Sequence, residues 1–188
     1  MRIVAGELRG RRLVAPTGSG VRPTLEVVRE AIFDSIGPRV VGARVLDLFA
    51  GCGALGFEAL SRGAEHVTWC DSSDRAAAAI RENATKLGIA GGRATLLVMT
   101  AHGAMTRLAR SHATFDLVFV DPPYEGGLYN NTLLELSTLH LVAPGGTVAV
   151  EYAKRIDVSS AFGELTLRKK RVYGETNVAY FDRAGGDL

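Results

Sequence analysis

From Arg44 onward, short apolar runs alternate with longer stretches in which apolar residues recur every three or four positions. The runs Arg44 to Phe49, His66 to Asp71, Ala94 to Met99, Phe115 to Val120 and Thr147 to Glu151 have the length and continuity of strands buried on both faces. Between them, residues 55–62, 74–87, 102–111 and 129–140 carry the helical period, and Gly88 ends the second of these. Alternation at this spacing predicts a doubly wound α/β fold, a parallel sheet with helices on both faces. The two ends differ. Leu165 to Tyr173 and Asn177 to Arg183 flank Gly174-Glu175-Thr176 and read as an antiparallel hairpin. Arg2 to Ala5 and Arg11 to Pro16 flank the turn Gly6 to Gly10 and read as a small N-terminal β-hairpin extension. Thr24 then stands at an N-cap position ahead of Leu25, Val28, Ile32 and Ile36, a helical face that Gly37-Pro38 ends. The expected organisation is an extension over residues 1–22 and one α/β domain over residues 23–188.

Composition narrows this picture. A chain of 188 residues, 47% hydrophobic and 22% charged, supports one substantial core. No apolar run approaches the roughly 20 residues of a membrane span, and no charged segment with an apolar signal core stands at Met1 to Gly6, so a soluble, cytoplasmic protein is expected, and with no strongly apolar exposed stripe evident, a monomer. Cys52 and Cys70 show no repeated spacing, and His66, His102, His112 and His140 form no ligand pattern. Buried, reduced thiols are therefore expected, without a disulfide framework or a metal. The net charge of +2 is unevenly distributed: residues 1–22 hold Arg2, Arg9, Arg11, Arg12 and Arg22 against Glu7, leaving the remainder slightly acidic. Cations clustered on a short arm favour a phosphate-facing surface over a merely solvated one. A second basic cluster is Arg168-Lys169-Lys170-Arg171.

In a doubly wound sheet, ligands bind beyond the carboxyl ends of the strands. The first such end is Asp47-Leu48-Phe49-Ala50-Gly51-Cys52-Gly53, continuing to Gly56, where glycines let backbone approach a ligand as a helix begins. Gly51, Gly53 and Gly56 also satisfy a dinucleotide fingerprint, so this loop alone leaves NAD and S-adenosylmethionine (SAM) open. Asp71, twenty residues beyond Gly51, ends the next strand and can accept hydrogen bonds from ribose hydroxyls. Val120-Asp121-Pro122-Pro123-Tyr124 closes the fourth strand. There, the Asp121 carboxylate and the Pro122 carbonyl can both accept from one amino group, and Tyr124 can stack on an extruded base. That suits methyl transfer to an exocyclic amine, and no proton-transfer pair of a dehydrogenase accompanies the glycine loop.

The DPPY motif at Asp121 to Tyr124 and the DxFxGxG pattern from Asp47 to Gly53 resemble those of the amino-methyltransferases. Taken with the Arg22-to-Phe33 block, the Ala54-to-Ala64 run, Asp74-Arg75 and the hairpin, they make the chain similar over residues 1–183 to the RsmD family of bacterial 16S rRNA guanine-N2 methyltransferases. The resemblance implies a seven-stranded, Rossmann-like methyltransferase sheet, SAM as donor, no metal, and one guanine of 16S rRNA, in the small subunit or an assembly intermediate, as acceptor. It implies catalytic roles for Asp121, Pro122 and Tyr124, and a place for Thr24 near the methionine end of the cofactor. Asp47, Phe49, Gly51, Gly53, Asp71, Thr100 and Ala101 are the further cofactor candidates, and Arg9, Arg11, Arg12 and Arg22 the RNA candidates. Two positions depart from the family pattern: Asp71 replaces the usual Glu, and Thr100 stands where an acid usually meets the adenine amino group. Adenine-N6 methylation and a noncatalytic ribosome-assembly role are the alternatives.

Overall fold

The computed structural model describes residues 1–15, 26–122, 128–154 and 156–185. Its first helix, α1 (Glu26–Ile36), ends in a 3-10 turn over Gly37–Val40 in which Gly37 takes a φ of 62°. The alternating part follows as β1 (Arg44–Leu48), α2 (Ala54–Ser61), β2 (His66–Asp71), α3 (Asp74–Leu87), β3 (Ala94–Val98), α4 (Ala101–Arg110), β4 (Phe115–Val120), α5 (Leu128–Thr138) and β5 (Val142–Ala153). Three strands close the chain: β6 (Ala161–Phe162), β7 (Leu165–Tyr173) and β8 (Thr176–Arg183).

The sheet order is β3-β2-β1-β4-β5-β8-β7-β6, with β1 to β5 parallel and the last three antiparallel. The chain winds outward from β1 in both directions, so the topological switch lies between β1 and β4, where a ligand crevice forms. One face buries Val45, Val67, Trp69, Phe119, Val178 and Tyr180 beneath α1, α2 and α3. The other buries Leu46, Val118, Val148 and Phe181 beneath α4 and α5. Strands covered on both sides explain why the sequence shows apolar runs rather than strict alternation.

Two features differ from the expectation. Among the described residues the sheet has eight strands, not seven, because Ala161 and Phe162 pair with Thr166 and Leu165; two residues carry too little periodicity to be seen in sequence. Among the described residues the N-terminal arm forms no hairpin of strands. It reverses through one isolated antiparallel bridge, Arg2 with Arg12. The reason lies in where its amides go: Val4 and Ala5 donate to the Glu58 carboxylate at 2.8 and 3.0 Å, and Glu7 and Leu8 donate to the Ser61 carbonyl and hydroxyl at 2.8 and 2.9 Å. Across the reversal Ile3 donates to the Arg11 carbonyl, Gly10 to the Ile3 carbonyl and Leu13 to the Met1 carbonyl, at 3.0, 2.8 and 3.0 Å, but beyond these the arm docks on the end of α2, with Ile3 and Leu13 buried in the core. No helix among the described residues is long and apolar enough to cross a membrane.

Candidate active site

The loop after β1 is bent sharply. Phe49 adopts a φ of 61°, uncommon for a residue with a side chain, and Gly51 and Gly53 follow at 57° and 80°. Two backbone bonds hold the turn: Ala50 donates to the Cys70 carbonyl at 3.0 Å and Gly53 to the Ala50 carbonyl at 2.7 Å. A Cβ on Gly51 would meet nothing within 4 Å, so the loop presents bare backbone to open space. Gly56 serves packing instead, since a Cβ there would lie 2.1 Å from the Trp69 indole nitrogen. That absence lets α2 lie close against β2.

Asp47 lies beneath this loop, 2% exposed, and its carboxylate accepts from the Gly56 amide at 3.0 Å. A first-turn amide of α2 that a diphosphate could use is thus already taken up by the Asp47 carboxyl. Burial pushes the Asp47 carboxyl well up; the Gly56 bond opposes this, and the charges of Asp121 and Asp71 add to it. Three acidic groups therefore share one small region, and the charges of Asp71 and Asp121 already work against a charge on Asp47. A cationic ligand relieves their repulsion, whereas a nicotinamide dinucleotide's diphosphate would add to it.

Asp71 is half-buried and accepts from Gly51 at 2.8 Å and Ser73 at 2.9 Å, one amide on each oxygen. A carboxylate has about four acceptor sites, so a ribose diol can still be bound. Thr100 is exposed and caps α4, its hydroxyl accepting from Gly103 at 3.2 Å, and Ala101 opens that helix. Capping leaves the Thr100 hydroxyl one further lone pair. Asp121 is half-buried at the end of β4 and Pro122 is buried. Thr24, Tyr124 and Arg22 lie outside the described residues. Arg9 and Arg12 are exposed on the arm, while Arg11 donates to the Lys86 carbonyl at 2.7 Å. Both thiols are buried and unpaired, and burial raises both, Cys70 to about 12, so neither is a nucleophile near neutrality.

A family model described as "Conserved hypothetical protein 95" matches residues 1–182. The Bacillus subtilis (strain 168) protein named "Putative rRNA methyltransferase YlbH" is 34% identical over 185 residues, 98% of this chain and 100% of its own. "Ribosomal RNA small subunit methyltransferase D" of Escherichia coli (strain K12) is 32% identical over 183 residues, 97% of this chain and 90% of its own. The chain belongs to the RsmD/YlbH methyltransferase family. A solved structure of a conserved hypothetical protein of Streptococcus pyogenes superposes on this family member with a TM-score of 0.77 at 36% identity, covering 86% of this chain and 98% of the other.

Sequence reasoning missed the residue that ties the RsmD/YlbH-type glycine loop to the arm. Asn83 of α3 is fully buried; its side-chain oxygen accepts from the Val14 amide at 2.7 Å, and its nitrogen donates to the carbonyls of Val14 at 3.0 Å and Cys52 at 3.2 Å. The available signal was an amide on the apolar face that Ala76, Ile80 and Leu87 define. Asn83→Ala strands buried groups on both segments, so we expect a loss of about 2–3 kcal/mol of stability together with several-fold weaker SAM binding. Urea unfolding and calorimetry check this; unchanged stability would mean that water replaces the amide without loss.

Proposed function

We propose that this protein transfers the methyl group of SAM to the exocyclic N2 amino group of a guanine in 16S rRNA, within the small subunit or an assembly intermediate. The observation that carries the reading is the set of carboxylates Asp47, Asp71 and Asp121 at the carboxyl ends of β1, β2 and β4, with Asp47 closing the α2 N-terminus to phosphate. The relatives' names supply rRNA as the substrate class.

In this reading Asp71 binds the ribose hydroxyls, the bare backbone at Gly51 and Gly53 lets the cofactor lie close, and Phe49, Thr100 and Ala101 border the adenosine. Thr24 contributes near the methionine end. Bound SAM supplies an electrophilic methyl on a sulfonium that leaves as a neutral thioether. The protein's part is to hold the acceptor. Asp121 and the Pro122 carbonyl take hydrogen bonds from the two amino hydrogens, which favours a pyramidal nitrogen with its lone pair free to attack. As the N–C bond forms, one amino proton becomes acidic, and the Asp121 carboxylate is the adjacent base that stabilises it. Tyr124 stacks on the extruded base, and Arg9, Arg11, Arg12 and Arg22 meet RNA phosphates.

The test is incubation with labelled SAM and small subunits lacking the modification, followed by nucleoside mapping. N2-methylguanosine is expected. N6-methyladenosine would overturn the base assignment, and absence of label would overturn the enzymatic reading. Asp71→Ala should raise the SAM dissociation constant by about ten- to a hundredfold, since two hydroxyls lose a charged acceptor worth roughly 1.5–3 kcal/mol; an effect confined to RNA affinity would contradict its role.

A further inference from the structure

The basic cluster at residues 168–171 is divided by the pleat of β7. Lys170 turns to the α5 side, where its ammonium meets Asp157 at 3.2 Å and the Val158 carbonyl at 3.0 Å. Its neighbours turn the other way. Lys169 pairs with Tyr180 and Arg171 with Val178, and both partners belong to the core beneath α1. A register shift between Leu167 and Lys169 puts Arg168 on this face as well, its guanidinium 5.4 Å from the Tyr180 ring and the Lys169 ammonium 5.0 Å from it. Arg39 completes the group from the turn after α1. Arg168 and Arg39 share the Asp182 carboxylate, at 2.8 and 3.9 Å. Among the described residues no ion pair within 4.0 Å involves Lys169 or Arg171. Partial burial and the charges of Arg168, Arg171 and Arg39 together hold the Lys169 ammonium below its ordinary range.

The strip is also aligned with the site. Val120 pairs with Val150 across β4 and β5, Glu151 with Val178 across β5 and β8, and Val178 with Arg171 across β8 and β7. Arg171 therefore stands in the cross-sheet row adjoining Asp121, three strands away, or about 14 Å at the usual spacing. By the alternation of side chains it shares a face with Asp47, whose neighbours in the sheet, Phe119 beneath α1 and Trp69 beneath α2, lie on that side. The arm bearing Arg9 and Arg12 docks on α2 and α3 of the same layer.

We propose that Arg168, Lys169 and Arg171, with Arg39, form a second phosphate-binding strip that holds the RNA strand flanking the target nucleotide, on the side of the site away from the arm. The inference rests on the rRNA reading for its ligand. It rests on its own geometry for its place. Arg168, Arg39 and Lys169 around one carboxylate, with Arg171 beside Lys169, repel one another unless an anion joins them, and an RNA backbone supplies phosphates at the spacing of a strand. Edge protection is the competing role, because β6 covers only the start of β7 and cations deter strand pairing. Lys169 and Arg171 lie on the sheet's face, which that role does not require.

The experiment compares Lys169→Gln/Arg171→Gln with the wild type in SAM calorimetry, thermal unfolding and small-subunit binding across a salt series. SAM affinity and unfolding temperature should be unchanged. The salt slope of RNA binding should fall by about 1.4–1.8, from roughly 0.7–0.9 per lost phosphate contact, and Lys169→Arg/Arg171→Lys should retain it. An unchanged slope overturns the strip, and an unchanged slope with new aggregation assigns it to edge protection. The two readings fail separately: if wild-type protein methylates guanine while the slope is unaltered, the strip alone is wrong. If the slope falls but no guanine is methylated, the acceptor assignment is wrong and the strip stands.

Discussion

Asp121→Ala is expected to leave SAM affinity within about threefold of the wild type while single-turnover methyl transfer falls by roughly two to three orders of magnitude, the loss typical of a removed transition-state partner. The asymmetry follows from what the carboxylate does in each state. Before transfer it holds one hydrogen of a neutral amine; during transfer that nitrogen becomes cationic, and the interaction strengthens as charge develops. Asp121→Asn keeps an acceptor oxygen without the charge and should fall between the two. Stability gives an independent readout. The Asp121 charge helps to push the buried Asp47 carboxyl up. A carboxyl whose folded pKa lies above its unfolded value contributes stability that is fully present below the unfolded pKa and is lost as pH rises through the folded one. Removing the Asp121 charge reduces that loss, so the stability of Asp121→Ala relative to the wild type should rise as the pH goes from acid to neutral. Near-normal transfer would remove Asp121 from the reaction; a large drop in stability would recast it as a structural residue.

The parts of the fold legible in sequence are those set by local pattern. β1, β2 and β4 appear as apolar runs because both faces are covered, β3 as the partly covered edge strand beside them, and the bend after β1 appears through Gly51 and Gly53, which carry positive φ. Asp71 could be placed because a parallel strand's end fixes it, and its bond to Gly51 joins two loop ends twenty residues apart. Position alone did not reveal what Asp47 does. It reads as a ligand-facing acid, yet it is buried and acts through the α2 N-terminus. The arm was misread for a related reason. Its glycine-bounded runs have hairpin character, but the acceptors for Val4, Ala5 and Val14 are Glu58 and Asn83, 53 to 69 residues away. Local pattern carries no record of such partners. Glu58 sits among Phe57, Ala59 and Leu60 in a wholly buried helix, and a charged residue there is the sign that something ionic must meet it.

Glu58→Ala should be the most destabilising single substitution considered, by about 3–5 kcal/mol, the range for removing one member of a buried ion pair. Glu58 and Arg29 are both fully buried, with the Arg29 Nε 3.3 Å from one carboxylate oxygen. That oxygen also accepts from Val4 at 2.8 Å, while the other accepts from Ala5 at 3.0 Å and from the Arg62 Nε at 2.8 Å. Arg29 in turn donates to the Arg2 carbonyl, so α1, α2 and the arm meet at one carboxylate. Without it, a guanidinium remains buried with no opposite charge and two arm amides lose their acceptors. For a chain of this size the cost corresponds to a fall in unfolding temperature of roughly 6–20 °C. Arg29→Met/Glu58→Leu should recover part of the loss, because an apolar pair can replace a buried ion pair at little cost. It cannot recover all of it, since Val4 and Ala5 still lack acceptors. Hydrogen exchange localises the effect: those two amides should lose protection in both variants, while the amides of β1 and β4 stay protected in the double variant. A loss under about 1 kcal/mol for Glu58→Ala, well below the buried-pair range, or retained protection at Val4 and Ala5, would mean that the arm is held by Ile3 and Leu13 in the core rather than by this carboxylate.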